Sequence, residues 1–231
     1  MRKGDLRRHD LLAASEKLFF TKGYAATTIN DILEYQHCTK GSFYHHFESK
    51  LQVLKILCEE HAKCSFDRYQ KDAENLTDPL LKLDLLLSAS LPVSEDDTDF
   101  CAMLMPLMNT PEGDEVLSSV LNAQRDIFLP ELEKLLNELR ESGQCFIPCN
   151  MLPGVVWDAH VGIYKQLLCL TGEHISDTVL SLLEAERYLF ECVLSLPFGS
   201  VRVISASKLT LLITEAAHKA HFTESNEENH V

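Results

Sequence analysis

Residues 28–50, TINDILEYQHCTKGSFYHHFESK, decide the fold of the amino-terminal part of this chain. Thr28 and Asp31 have the spacing of a capping box, in which the hydroxyl accepts the third backbone N–H and the carboxylate reaches back, so a short helix begins there. Thr39 can cap a second short helix after a polar break. Two short helices joined by a tight turn, with a polar outer face on the second, predict a helix-turn-helix unit. Such a unit places its second helix in the major groove of DNA.

The residues around this unit predict a helix on each side of it. Apolar residues recur with the helical period over residues 10–22, and Gly23 ends that stretch. Another capping box at residues 49–52 opens a long fourth helix. Phe43 and Phe47 lie one helical turn apart, and we expect both to face the small core between these helices.

The remainder of the chain is also predicted to be helical, because no segment shows the alternating apolar and polar pattern of a β-strand. Pro130 is expected to break or kink one helix. Two of the helices carry apolar residues on more than one face, so each needs two packing partners. Beyond the fourth helix, we predict helices at residues 79–91, 100–108, 112–141, 152–170, 177–196 and 203–221.

These elements divide the chain into two domains. Residues 1–50 form the helix-turn-helix domain, and the fourth helix, about residues 50–71, connects it to a larger helical domain over residues 51–222. Residues 223–231 are polar and are expected to form a disordered tail.

The charge is distributed unevenly. The chain of 231 residues has a net charge of −14, which argues against a protein that coats nucleic acid without sequence preference. Residues 1–50 contain eight Lys or Arg and six Asp or Glu, a net charge of +2, so the other 181 residues carry −16. A small DNA-facing domain on an acidic body is compatible with this asymmetry, although a charge of +2 does not by itself establish DNA binding.

Composition points to a globular protein of the cytoplasm. Hydrophobic residues make up 45% of the chain, enough for a substantial core. The first ten residues are polar and charged, and no later apolar run is long enough for a membrane helix, so we expect neither a signal peptide nor a membrane span. The eight cysteines are scattered, and we expect most of them to be reduced and buried.

The residues of the helix-turn-helix unit resemble the amino-terminal signature of the TetR family of transcriptional regulators over residues 6–55. One departure is His37, at the turn position where family members usually carry Gly, followed by Cys38 where an aliphatic residue is commoner. A non-glycine residue there must adopt a left-handed backbone conformation at some strain. The segments that carry the resemblance are Ala13-Ala14, Leu18-Phe19, Lys22-Gly23-Tyr24, Thr27-Thr28-Ile29, Asp31-Ile32, residues 40–47 and Ser49-Lys50.

The resemblance implies an all-α fold, in which a three-helix helix-turn-helix domain precedes a larger ligand-binding and dimerisation domain. It implies a homodimer that reads a near-palindromic DNA operator, and a repressor that a small-molecule effector releases; activation stays open. The helices at 152–170 and 177–196 are the expected dimer surface, and the effector pocket is expected inside the carboxy-terminal domain, where it acts on the fourth helix. No cofactor is implied.

Four residues at the start of the recognition helix are predicted to face the bases. Lys40 and Ser42 can donate to base edges, and a lysine favours guanine O6 and N7. Gly41 lets the helix backbone approach the duplex closely. Thr39 shares the base contact or binds phosphate.

Four further residues are assigned to the DNA backbone. Thr28 and Lys50 lie at helix amino termini, where backbone N–H groups attract phosphate. The alternatives are plain capping for Thr28 and a solvated charge for Lys50. Tyr44 and His45 resemble the family's phosphate contacts, whereas His46 is left open.

The candidates for the effector pocket share large, soft or amphipathic side chains on the central helices, a pattern that is also typical of ordinary core. They are Phe100, Met103, Met105, Met108, Trp157, His160 and Tyr164.

Three alternatives compete with the effector-released regulator. Cys58, His61 and Cys64 could supply part of a metal site for a metal-responsive regulator, and Cys145 with Cys149 could form a redox-sensing thiol pair. A protein-binding adaptor that retains the fold is the third. An enzyme is not expected, since the chain contains no Gly-rich phosphate loop, no Gly-x-Ser-x-Gly elbow and no His-Glu-x-x-His motif.

Overall fold

A computed structural model describes residues 3–91, 94–108, 110–170, 174–202 and 204–228. These residues form ten α-helices and a short 3-10 helix at Met105–Leu107, without a β-strand among them, which confirms the all-α prediction. The helices are α1 (Lys3–Lys22), α2 (Ile29–Tyr35), α3 (Lys40–Tyr44), α4 (Lys50–Ala73), α5 (Pro79–Ala89), α6 (Glu95–Leu104), α7 (Pro111–Glu141), α8 (Leu152–Leu168), α9 (Ile175–Val193) and α10 (Ala206–Glu228).

Several helices are longer than predicted. Helix α1 begins at Lys3 instead of Asp10. Helix α6 begins at Glu95, five residues early, because Ser94 and Asp97 form a capping box that the apolar pattern did not reveal. Helix α7 continues through Pro130 without a break.

The polar tail predicted at 223–231 also differs. Helix α10 continues through Glu228, and residues 229–231 lie outside the described part of the chain. No helix in the described ranges is long and apolar enough to cross a membrane.

Two apolar clusters form the core, and helix α4 contributes to both. The first joins the amino-terminal helices to α6, α10 and parts of α7, α8 and α9, and it includes Leu54 and Leu57 of α4. The second lies among α5, α7, α8 and α9, and it includes Tyr69 and Ala73 at the other end of α4. Since core packing is dense, a shift of α4 must be transmitted to the helix-turn-helix unit.

Two buried carboxylates hold the segment before α10 against the body. Asp84 on α5 accepts a hydrogen bond from the backbone N–H of Arg202, at 2.8 Å. Glu191 on α9 accepts one from the backbone N–H of Val201, at 3.1 Å. Burial raises the pKa of Asp84 to about 6, and the nearby charge of Glu191 acts in the same direction. The ionised form of Asp84, which predominates above about pH 6, is therefore less favourable in the folded protein than in the unfolded chain.

Asp84→Asn is expected to stabilise the protein at neutral pH. The amide oxygen can still accept the Arg202 N–H, and the charge is gone. Because the pKa of Asp84 is raised on folding, the wild-type protein loses stability as the pH rises through about 4 to 6, and the variant does not. Urea unfolding should show a gain of about 1 to 2 kcal/mol at pH 7.5 and almost none at pH 4. An equal gain from Asp126→Asn, at an exposed position on α7, would contradict this explanation.

Candidate DNA-binding surface

The caps of α2 and α3 form as the sequence predicts. The Thr28 hydroxyl accepts the backbone N–H of Asp31 at 3.1 Å, and the Asp31 carboxylate accepts the backbone N–H of Thr28 at 2.7 Å. Thr39 caps α3 by accepting the backbone N–H of Ser42. These short contacts fix where the recognition helix begins.

The cap of α4 differs in one bond from the predicted capping box. Ser49 accepts the backbone N–H of Gln52 at 3.0 Å, as expected. The Gln52 side chain accepts the backbone N–H of Glu48, at 2.6 Å, and not that of Ser49. Helix α4 nevertheless begins at Lys50, as predicted.

His37 occupies the turn in the left-handed conformation that the sequence requires, with φ of 47°. The backbone N–H of Cys38 reaches the carbonyl of Leu33 at 3.0 Å, which closes the end of α2 as a Schellman-type turn. Substituting His for the usual Gly therefore leaves the turn intact.

Helix α3 is held to the body by aromatic side chains on its inner face. Phe43 and Phe47 are buried, with ring centroids 5.5 Å apart, which confirms their expected core position. The guanidinium of Arg8, on α1, lies 5.6 Å from the ring centroid of Phe47. The recognition helix has only five residues, so this packing, and not its own hydrogen bonds, determines its orientation.

The outer face of α3 brings together most of the predicted DNA-contacting residues. Lys40, Gly41, Tyr44 and His45 are exposed, as is Thr39 at the cap, and Ser42 is half-buried. A Cβ atom added at Gly41 would meet no atom within 4 Å. Packing inside the chain therefore does not require a glycine here, and the empty space lies on the solvent side.

Thr28 is exposed, but its hydroxyl is already engaged. It donates to the Asp31 carboxylate at 2.7 Å, and the same carboxylate pairs with the Lys22 ammonium at 2.8 Å. The hydrogen bonds from Lys22 and from Thr28 lower the pKa of Asp31 to about 2. The capping role of Thr28 is thus present in the structure, and its phosphate contact stays a prediction.

Lys50 turns inward and clamps the loop between α1 and α2. Its ammonium donates to the carbonyl oxygens of Tyr24 at 2.7 Å and Thr27 at 2.9 Å, and lies 3.4 Å from that of Ala25. It also sits 4.1 Å from the centroid of the Tyr24 ring, a cation–π contact. Burial lowers the pKa of Lys50. The solvated charge considered from the sequence is therefore wrong, and the assigned phosphate contact would compete with these bonds.

Two polar contacts connect the helix-turn-helix unit with α7. The Tyr24 hydroxyl donates to the Glu112 carboxylate at 2.7 Å. Burial, with the Glu112 contact next, raises the pKa of Tyr24 well above its usual range. Lys55 on α4 pairs with Glu115 at 2.6 Å. The amino terminus of α7 thus touches the loop that Lys50 clamps.

The seven effector-pocket candidates are divided between the two apolar clusters and a buried polar network. Phe100, Met103, Met108 and Tyr164 lie in the first apolar cluster with Met105 packed against it, whereas Trp157 lies in the second. Met108 also borders a cleft of about 370 Å³ near the start of α7.

His160 belongs to a buried polar network that the sequence did not reveal. Its Nε2 lies 2.5 Å from the Ser90 hydroxyl, and its Nδ1 contacts the Glu186 carboxylate. Gln124 donates to the Ser90 carbonyl at 3.0 Å. This network joins the end of α5 to α7, α8 and α9, and sequence spacing carries no signal for it because its members are far apart in the chain.

The metal site suggested for Cys58, His61 and Cys64 is not formed. Cys58 is buried, which raises its pKa to about 12, whereas Cys64 is exposed. His61 stacks on Phe100, with ring centroids 3.9 Å apart, and its Nε2 lies 3.0 Å from Asp97. Within the described ranges, no cluster of three or more His, Cys, Asp or Glu side chains could hold a metal ion.

No disulfide joins Cys145 and Cys149, the suggested thiol pair. Cys145 is buried, and burial raises its pKa, so it is a poor nucleophile. Cys149 is exposed, and both cysteines are free. Cys145 therefore lacks the low thiol pKa that a redox sensor requires.

Helices α2 and α3 form a helix-turn-helix unit whose second helix has an exposed outer face. The rest of the chain is helical, so the chain is a helix-turn-helix protein. Residues 11–56 match the family described as bacterial regulatory proteins, tetR family. The HTH-type transcriptional repressor KstR2 of Mycolicibacterium smegmatis is 37% identical over 89 residues, which cover 38% of this chain and 43% of that repressor. This chain thus spans less than half the length of the first curated relatives it matches.

Solved structures share the fold over nearly their whole length. A TetR-family regulator from Pectobacterium atrosepticum superposes with a TM-score of 0.58 at 19% identity, covering 85% of this chain and 99% of that one. The regulator FadR from Bacillus subtilis, solved in complex with stearoyl-CoA, gives a TM-score of 0.51 at 18% identity, covering 81% and 97%. The match to the tetR family thus covers residues 11–56, and the solved structures show a common fold over most of the chain.

Proposed function

We propose that this protein is a dimeric transcription regulator that represses by binding a near-palindromic DNA operator and is released by a small-molecule effector. The observation that carries the proposal is the exposed face of α3, where Lys40, Gly41 and Tyr44 point outward from a helix braced by buried aromatic rings. The repressor name of the Mycolicibacterium relative supports the direction of control. No catalytic step is part of this role, which would be exercised in the cytoplasm, where the DNA lies.

The face of α8 and α9 supports the dimer. On α8, Val155, Ala159 and Gly162 form one stripe of uncharged residues that are exposed or half-buried. On α9, Ala185 and Tyr188 belong to a second exposed stripe, with Ser181, Leu189 and Cys192. Two uncharged stripes on adjacent helices are suited to contact with a second copy of the chain, since two-fold dimers bury the same patch on both subunits.

Release by an effector rests on the position of α4. This helix begins at Lys50 in the reading unit and ends in the second apolar cluster, so a ligand that moves its far end alters the spacing of the two recognition helices. Half-sites lie about 34 to 36 Å apart, and a misfit of a few ångströms weakens binding to both at once.

The experiment that tests the proposal is selection of bound sequences from a random duplex pool, using the full-length protein. An enriched inverted repeat is expected, with affinity that falls steeply as salt is raised. Lack of enrichment at any salt concentration would exclude the operator-reading role and favour a protein-binding adaptor.

Lys40 and Lys50 are expected to contribute to operator binding in different ways. Lys40→Ala removes a base contact from an exposed position, so it should relax the preference at one base position by about 1 to 3 kcal/mol and leave thermal stability unchanged. Lys50→Met removes the clamp on the Tyr24 and Thr27 carbonyls, so it should lower the melting temperature and weaken binding to all sequences alike. Competition binding with single-base operator variants, and thermal melting, distinguish the two. If Lys50→Met weakens binding without a change in melting, Lys50 contacts phosphate as first predicted.

A further inference from the structure

A cleft of about 400 Å³ opens between α4, α5 and the start of α10, which is within the size range of small-molecule sites. Its walls are partly apolar, with Leu85 and Ala89 from α5 and Ile204 from the segment before α10. Its polar side is formed by Arg68, Asp72, Ser88, Ser94 and Lys208.

The charges of the cleft differ from those of the domain around it. Two cations, Arg68 and Lys208, border it, and Asp72 is the single carboxylate among its described lining residues. The lining side chains thus carry a formal charge of +1, whereas residues 51–231 carry −16, and the charge of Arg68 is paired with that of Asp97 behind the cleft. Lys208 is exposed and has no ion-pair partner within the described part of the chain. A ligand with one negative charge and an apolar body complements both sides of the cleft.

Arg68 connects the cleft to the joint between α4 and α6. Its guanidinium donates to Asp97 at 2.7 and 2.9 Å, to the Ser94 hydroxyl at 2.8 Å and to the Ser65 hydroxyl at 2.9 Å. The Arg68 side chain keeps about a third of its surface exposed, whereas Asp97 is buried. A second carboxylate arriving from the cleft would therefore compete with Asp97 for the same donors.

We propose that this cleft is the effector site and that it binds small amphipathic monocarboxylates, with the carboxylate between Arg68 and Lys208 and the apolar chain along Leu85 and Ile204. The effect of the ligand on operator binding rests on the proposed function, whereas its binding to the cleft does not. Binding draws Arg68 away from Asp97 and loosens α4 from α6. A ligand can shift a conformational equilibrium only through contacts that differ between the two states, and the guanidinium of Arg68 supplies such a contact.

Calorimetric titration of the full-length protein tests the site without DNA. The probes are octanoate and octanamide, which share a chain and differ in charge. Octanoate is expected to bind about fivefold more tightly than octanamide, because an exposed or half-exposed charge pair contributes up to about 1 kcal/mol. Lys208→Glu should lower the affinity for octanoate by at least about tenfold and leave the affinity for octanamide nearly unchanged.

Two further variants locate the ligand. Lys63→Glu makes the same change of charge at an exposed position of α4 outside the cleft, and octanoate binding should be preserved. Leu85→Trp fills the apolar side, so both probes should bind less tightly; a melting curve establishes that this variant is folded. The proposed site is overturned if octanoate does not bind, or if the wild-type protein and Lys208→Glu bind octanoate with equal affinity.

The regulatory part is tested with the selected operator. Octanoate should weaken operator binding by the wild-type protein and have little effect on Lys208→Glu. If octanoate binds through Lys208 but operator affinity stays constant, the effector assignment is overturned. If no operator is enriched, the proposed function fails, and calorimetry still decides whether the cleft is a carboxylate site.

Discussion

Val155→Glu and Tyr188→Glu are each expected to convert the protein to a monomer that no longer retains its operator. Val155 on α8 and Tyr188 on α9 are 61% and 63% exposed, and each lies in one of the two uncharged stripes. In a two-fold dimer each substitution places two carboxylates in the interface. Like charges brought together in an interface cost several kcal/mol, so the dimer dissociation constant should rise by at least about 100-fold.

Sedimentation velocity over a range of protein concentrations measures this change, and operator titration at the same concentrations measures its consequence. Leu211→Glu on α10 is the matched control, because Leu211 is 67% exposed and lies outside the α8 and α9 stripes. It should leave the dimer intact. If Leu211→Glu dissociates the dimer and the other two substitutions do not, the dimer surface lies on α10 and not on α8 and α9.

Local hydrogen bonding made the amino-terminal fold predictable from the sequence. The cap of α2 involves Thr28 and Asp31, three residues apart, and the left-handed turn involves His37 within five residues of its partners. Such contacts depend on spacing along the chain and on few other residues. The recognition helix could therefore be located to within a residue, and its exposed face could be assigned.

Contacts between distant segments could not be predicted in this way. The sequence predicts Lys50 as a cation at a helix start. In the structure its ammonium donates hydrogen bonds to carbonyl oxygens that lie 23 to 26 residues earlier in the chain. His160 was noted as a soft side chain, while its partners Ser90 and Glu186 come from other helices. The direction of each side chain depends on how the helices pack, and apolar periodicity does not determine that.

The cysteine and histidine pattern on α4 shows the same limit. Spacing of three residues spreads Cys58, His61 and Cys64 around the helix, and packing then buries the first and exposes the last. The same packing directs His61 to Asp97, on a helix whose capping box starts five residues before the apolar pattern indicates. The sequence therefore identified α4 as the connecting helix but not the ion pair that fastens it to α6.

Asp97→Ala is expected to be the most destabilising of the substitutions considered for the body. The Asp97 side chain is 3% exposed and receives hydrogen bonds from Arg68, from the Ser94 backbone and hydroxyl, and from His61. Its removal leaves the charge of Arg68 in a partly buried site without a partner and opens the cap of α6. Breaking a buried ion pair from one side costs about 3 to 5 kcal/mol.

Asp99→Ala provides the comparison on the same helix. Asp99 pairs with Lys219 at 2.7 Å, but its side chain is 48% exposed, so its loss should cost less than about 1 kcal/mol. Urea unfolding at one fixed protein concentration gives both values. Similar losses for the two variants would show that α6 is held by its apolar face and not by the Asp97 network.

The pH dependence of the Asp97→Ala effect distinguishes a charge network from simple loss of packing. Burial on its own would raise the pKa of Asp97, but the hydrogen bonds from His61, Ser94 and Arg68 bring it well below the usual range. A carboxylate whose pKa is lowered on folding stabilises the protein above its unfolded pKa of about 4, and this contribution is lost as the pH falls further. The difference between wild-type protein and Asp97→Ala should therefore be complete at pH 7 and clearly smaller at pH 3. A difference that is constant over this range would assign the loss to packing and to the cap, and would remove the basis for a carboxylate ligand competing with Asp97 for Arg68.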